Sequence, residues 1–173
     1  MTTSKNTVLL LLCSLTMLVC GCSDDDPSIP DPDPGVQPSV QLTLTSETIG
    51  VGEESILSII LDDIDDSVFA LSLRIGYDPA VVVVDEDTGF LIGDFMSADA
   101  LALFQIQGRV LYLSLTDIGG TSKALKSGSI GTVTVEGMNA DQCDFTIAVE
   151  DFRFIDAAGG DVLVTDLQVS GVS

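Results

Sequence analysis

The amino-acid sequence predicts an all-β protein, a two-sheet β-sandwich of jelly-roll topology built from about nine short strands. Apolar and polar residues alternate with period two in one segment after another, as in Phe69, Leu71, Leu73, Ile75 and Tyr77 against Ala70, Ser72, Arg74 and Gly76. This alternation marks strands buried on one face only. Turn signals punctuate the runs at Gly50-Val51-Gly52, Asp78-Pro79, Gln107-Gly108, Gly119-Gly120 and Gly159-Gly160. Between them nothing is long and amphipathic enough for a helix beyond one turn at Met96 to Ala102.

Residues 1–38 stand outside the pattern. Lys5 precedes an apolar run from Val8 to Val19, too short for a permanent bilayer span of about 20 residues but suited to a secretory signal behind a basic start. The run ends in Val19-Cys20-Gly21-Cys22-Ser23, which resembles the lipobox of bacterial lipoproteins. The resemblance implies removal of residues 1–21, acylation of Cys22, and a domain anchored through lipid to the bacterial cell envelope, at the outer membrane or cell surface; more than one acyl chain makes such an anchor stable. Residues 22–38 hold Asp24, Asp25, Asp26 and five of the six prolines, the composition of an extended, self-repelling tether. An acidic run just after the cysteine also resembles the export signal of some surface-exposed lipoproteins.

The folded domain is then residues 39–173. Val40, Leu42 and Leu44 alternate with Gln41, Thr43 and Thr45 to open it, and a second strand reads over Ser55 to Leu61. The third runs from Phe69 to Tyr77, the fourth from Ala80 to Val84, and the fifth from Leu101 to Gln107. In the sixth, Leu111, Leu113 and Leu115 face inward, which turns Tyr112, Ser114 and Thr116 outward. Further strands read at Ser129 to Gly137, Cys143 to Val149 and Val162 to Ser170, with a weaker one at Phe152 to Ile155.

Processing settles the cysteine count: Cys13 and Cys20 leave with the signal, Cys22 is acylated, and Cys143 has no intrachain partner, so no disulfide framework forms. Alternation puts Cys143 beside Phe145, Ile147 and Val149 as a buried small apolar residue. Six Lys plus Arg against 27 Asp plus Glu give a net charge of −21. Such a surface repels nucleic acid and anionic membrane, so basic proteins and divalent cations are the favoured partners. The chain has no His, which excludes His-dependent triads and His-containing metal sites. Its paired acids cluster in turns without the aromatic subsites of sugar processing, and the chain reads as a non-enzyme.

Several motifs then follow in a set order: Gly50-Val51-Gly52-Glu53, the run from Phe69 to Tyr77-Asp78-Pro79 leading into Val81 to Val84, Gly108-Arg109 into the sixth strand, Gly128-Ser129-Ile130-Gly131, and Phe154-Ile155-Asp156 before the last strand. From about Val40 to Ser173 the chain resembles a cohesin domain, the β-sandwich module related to bacterial carbohydrate-binding modules and known for docking dockerins in cellulosomes. The resemblance implies that the sheet holding the third and sixth strands is the docking face. Ala70, Ser72, Arg74, Tyr112, Ser114 and Thr116 would line it, with Arg74 and Tyr112 the residue types that carry interface energy. Cellulosomal cohesins often offer Asn and Asp from the third strand where this chain offers Ala70 and Ser72.

Two readings of the domain stay open. One is a non-catalytic docking module for a protein partner, such as a dockerin-bearing enzyme of polysaccharide breakdown at the cell surface. The other is a carbohydrate-binding module that takes polysaccharide directly. For the second, the chain has no Trp, and Tyr112 is its outward platform. No cofactor is expected; the acid runs Asp62-Asp63-Ile64-Asp65-Asp66 and Asp85-Glu86-Asp87 suit either calcium or solvated turns.

Overall fold

In the computed structural model, residues 37–64, 68–87, 89–118 and 127–172 are described, all within the unit Pro34–Ser173. The signal segment, Cys22 and nearly all of the tether lie outside the described residues, as do Asp65, Asp66 and the Gly119-Gly120 turn. Among the described residues fourteen strands follow one another: β1 (Ser39–Leu44), β2 (Thr48–Ile49), β3 (Glu54–Asp62), β4 (Ala70–Tyr77), β5 (Val82–Val84), β6 (Phe90–Ile92), β7 (Leu101–Gln107), β8 (Val110–Thr116), β9 (Gly128–Gly137), β10 (Asp141–Gln142), β11 (Phe145–Thr146), β12 (Phe152–Ile155), β13 (Asp161–Val162) and β14 (Gln168–Ser170). A 3₁₀ turn at Val149–Asp151 precedes β12.

The strands form the two facing sheets that the sequence predicts. One is ordered β14-β1-β3-β9-β5, with β6 also on β9; the other is ordered β13-β12-β4-β8-β7, with β11 also on β4. Strands β2 and β10 make a small separate ladder. The first strand runs parallel to the last, Ser39 beside Gln168, and closes one edge; the other strand pairs are antiparallel.

Side-chain period does most of the packing. In β4, Leu71, Leu73, Ile75 and Tyr77 are buried, and in β8 so are Leu111, Leu113 and Leu115. They meet Leu57, Ile59 and Leu61 of β3 and Val133 and Val135 of β9 in one core. Burying each such side chain contributes about 1.5–3 kcal/mol. Cys143 is buried in the same core, 1% exposed. The β7–β8 hairpin turns on Gly108-Arg109, with Gln107 paired to Val110 and Gly108 at φ 63°. A left-handed first loop residue is what a two-residue turn of this kind asks of glycine.

Strand β9 carries a bulge: Ile59 pairs with Gly131 and Ile60 with Ser129, which leaves Ile130 as the extra residue, fully buried. A Cβ on Gly131 would lie 2.5 Å from the Leu91 carbonyl oxygen and 2.6 Å from the Phe90 ring. Glycine here lets β6 close against β9 while Phe90 stacks on Phe104 of β7, ring centres 5.6 Å apart.

Four expectations need correction. The run Val162 to Ser170 is not one strand: β13 belongs to the second sheet and β14 to the first. Between them Asp166 adopts φ 57°, and both parities of the run are apolar, so alternation could not reveal the crossing. Cys143 to Val149 likewise yields only β11, because β11 and β12 take successive stretches of the same edge of β4. Period two reports which side chains are buried, not which neighbour a strand finds. Met96 to Ala102 forms no helix, only a turn in which the Ala100 N–H donates to the Ser97 carbonyl at 3.0 Å before β7 begins; Phe95, Met96 and Ala100 are buried in the core. The strand count exceeds nine because β2, β6 and β10, at two or three residues each, are too short to show a period.

Candidate docking face

Register fixes four rows across the outer surface of the second sheet. Ile155, Ala70, Thr116 and Leu101 lie side by side, then Arg153, Ser72, Ser114 and Leu103. Arg74, Tyr112 and Gln105 form the third row, and Gly76, Val110 and Gln107 the fourth. All six residues that the sequence assigns to the face, Ala70, Ser72, Arg74, Tyr112, Ser114 and Thr116, are thus brought onto one surface. Tyr77 is inward and buried; Tyr112 is outward and half-buried.

The sequence reading missed both margins of this surface. At the β7 edge Leu101 and Leu103 are 65% and 57% exposed, a large apolar area for a solvated edge strand. Their signal was masked because Ala102, Phe104 and Ile106 make the opposite parity apolar too, and the latter three pack on the core. At the other margin Arg153 and Ile155 belong to β12, the weakest of the expected strands.

Arg74 is not the lone cation that the strand pattern suggests. Its guanidinium meets the Asp151 carboxylate at 2.8 Å, and the other oxygen of Asp151 accepts the Ala148 N–H at 3.2 Å. Asp151 therefore caps the 3₁₀ turn and orients Arg74 together. Two adjoining grooves of about 270 Å³ each run past Arg74, one bordered by Ser72, Tyr112 and Ser114, the other by Gly76, Val110 and Thr146. Arg153 donates from Nε to Asp161 at 2.6 Å. That bond holds the Asp161 carboxyl below its ordinary 3.8 and lifts the Arg153 guanidinium above its ordinary value.

Charge separates this face from the outer face of the other sheet. None of the outward residues of β12, β4, β8 and β7 is acidic, in a chain with 27 Asp plus Glu. The outer face of the other sheet instead opposes two exposed acids, Glu54 and Glu136, directly across β3 and β9. The acids weighed for calcium serve the backbone and its neighbours: Asp85 accepts the Asp87 N–H at 2.8 Å, Glu86 accepts the Ile106 N–H at 3.1 Å, and Asp62 accepts the Ser127 hydroxyl. Among the described residues no cluster of three or more acids or cysteines is placed to hold a metal ion.

No protein-family model and no curated relative matches the chain. Solved structures do. A type II cohesin domain from the cellulosome of Acetivibrio cellulolyticus aligns with a TM-score of 0.64 at 15% identity, covering 79% of this chain and 94% of its own. A non-cellulosomal cohesin from the hyperthermophilic archaeon Archaeoglobus fulgidus gives 0.58 at 17%, covering 78% and 87%. A mutant type II cohesin–X–dockerin complex from A. cellulolyticus gives 0.61 at 12%, covering 79% and 98%. At such identities likeness speaks for architecture alone, and the architecture of the described domain is the cohesin fold.

Proposed function

We propose that the chain is a non-catalytic docking module that holds a protein partner of dockerin type at the bacterial cell envelope, in the service of polysaccharide breakdown. One observation carries this reading: the outward residues of β12, β4, β8 and β7 include no acid, and among them stand exposed Leu101 and Leu103 and half-buried Tyr112. Burying a carboxylate without a partner costs several kcal/mol, roughly, so a strongly acidic protein can be covered only where its acids are absent or paired. Tyrosine and arginine are the residue types that anchor interfaces, and the exposed leucines beside them supply the apolar area that the buried centre of an interface needs. The cohesin solved in complex with X–dockerin supports the class of partner. The resemblance of Val19-Cys20-Gly21-Cys22-Ser23 to a lipobox supports the anchor.

Retention of secreted proteins on the immobilised chain tests the reading. Wild type should retain a partner that Ser72→Arg combined with Tyr112→Ala does not. Equal retention by both removes the face from the function. For the anchor, acyl label should enter the wild-type chain and not Cys22→Ser.

A second reading, direct glycan binding, draws on the grooves beside Arg74, where a tyrosine ring, two serine hydroxyls and an oriented Arg–Asp pair converge. Affinity electrophoresis through cellulose, xylan and similar glycans separates it from docking, because a glycan binder is retarded with no protein partner present. Uniform mobility across the panel discards it.

A further inference from the structure

The acid-free face is enclosed by carboxylates on several sides. Asp161 and the Glu150-Asp151 pair stand along the β12 margin, where they meet Arg153 and Arg74. Asp144 lies beside Gly76 at one end. Glu86 reaches the outer edge of β7 through the Ile106 N–H, and exposed Asp99 precedes Leu101 at the other end. The three described arginines are all engaged with Asp151, Asp78 and Asp161. None of these ion pairs includes Glu150, Asp144, Glu86 or Asp99.

Resting on the docking reading, we infer that the partner's contact surface is an apolar ridge bordered by lysines and arginines. The ridge would cover Leu103, Leu101 and Tyr112, where no carboxylate has to be desolvated. Its flanking cations would meet the enclosing acids, which stay partly in water, where charge sets the association rate and its salt dependence more than the final affinity. The field of a chain of net charge −21 draws such a surface in and repels an acidic one from a distance. An acidic partner would also compete with Asp151 and Asp161 for arginines already held.

Two synthetic amphipathic helical peptides with identical leucine faces test this, one flanked by lysines and the other by glutamates, each titrated onto the full chain by surface plasmon resonance. The lysine peptide should bind at least about tenfold more tightly than the glutamate peptide, with an association rate that falls as salt is added. Leu103→Ser should weaken it by a similar factor, and Leu91→Ser, on the outer face of the other sheet, should leave it unchanged. The combined variant Glu86→Gln, Asp99→Asn, Glu150→Gln should flatten the salt dependence of the association rate.

Equal binding of the two peptides, both lost in Leu103→Ser, would overturn the cationic border and leave the docking face standing. Lysine-peptide binding that Leu91→Ser reduces as much as Leu103→Ser does would overturn it as well, since general attraction to acid would then explain the result. If Leu103→Ser changes neither peptide's binding, the border and the docking face fall together.

Discussion

Arg74 and Tyr112 stand directly opposite each other across the β4–β8 ladder, while the guanidinium reaches to the far side of β4 and meets Asp151 at 2.8 Å. One outward strand residue thus joins the aromatic of its neighbour to the turn that leads into β12. Arg74 is half exposed and Asp151 about a quarter, so the pair's contribution to stability is small, about 0–1 kcal/mol. Arg74→Ala should therefore lower stability by no more than that in denaturant titration while weakening partner retention. Asp151→Ala should cost more, because the cap on the Ala148 N–H is lost as well, and such caps contribute about 0.5–2 kcal/mol.

Leu103→Arg should separate docking from folding. The side chain is 57% exposed, and substitutions on a solvated face stay within about 0.5 kcal/mol. The melting curve should match wild type, and retention of the partner should fall. A cooperative loss of structure would show that Leu103 packs in a way its exposure does not suggest.

Across the other sheet, Glu54 and Glu136 are directly paired like charges, an arrangement that destabilises antiparallel ladders. Glu136→Lys should raise stability by about 0.2–1 kcal/mol. The gain should shrink in high salt, where screening shortens to a few ångströms. Thermal melts of both proteins at low and high ionic strength give the comparison directly.

Gly131→Ala should destabilise strongly. The added methyl would meet the Leu91 carbonyl and the Phe90 ring within 2.6 Å, and relieving such an overlap in a packed core costs about 1–3 kcal/mol. The loss should be larger than for Gly160→Ala, where the nearest atom, on the Asp156 side chain, is 3.1 Å away.

Acid should remove the contribution of Asp78. Its carboxyl titrates below the ordinary 3.8 because it accepts the Ala80 N–H and a bond from Arg109. A carboxyl depressed in the folded state stabilises above its unfolded value and loses that effect as pH falls through the folded one. Asp78→Asn should therefore be less stable than wild type near neutral pH, with the gap closing below 3.8. A gap that stays constant into acid would show that the carboxylate charge is not what matters there.

Which side chains are buried in β1, β3, β4, β8 and β9 can be read from the order of residues, since period two is a local consequence of a pleated backbone with one wet face. That order therefore delivered the inward Tyr77 and the outward parity of Ala70, Ser72, Arg74, Tyr112, Ser114 and Thr116, whereas that the third and sixth strands share one face came from the resemblance to cohesins. Tertiary structure alone decided what stands beside that face. Leu101 and Leu103 became its apolar margin because Phe104 and Phe90 stack across the sandwich and commit the opposite parity to the core. Asp151 and Asp161 came to Arg74 and Arg153 because β11 and β12 share one edge of β4. The physical reason is that alternation fixes the direction of each side chain within its own strand, whereas the neighbour it meets depends on contacts between segments far apart in the chain.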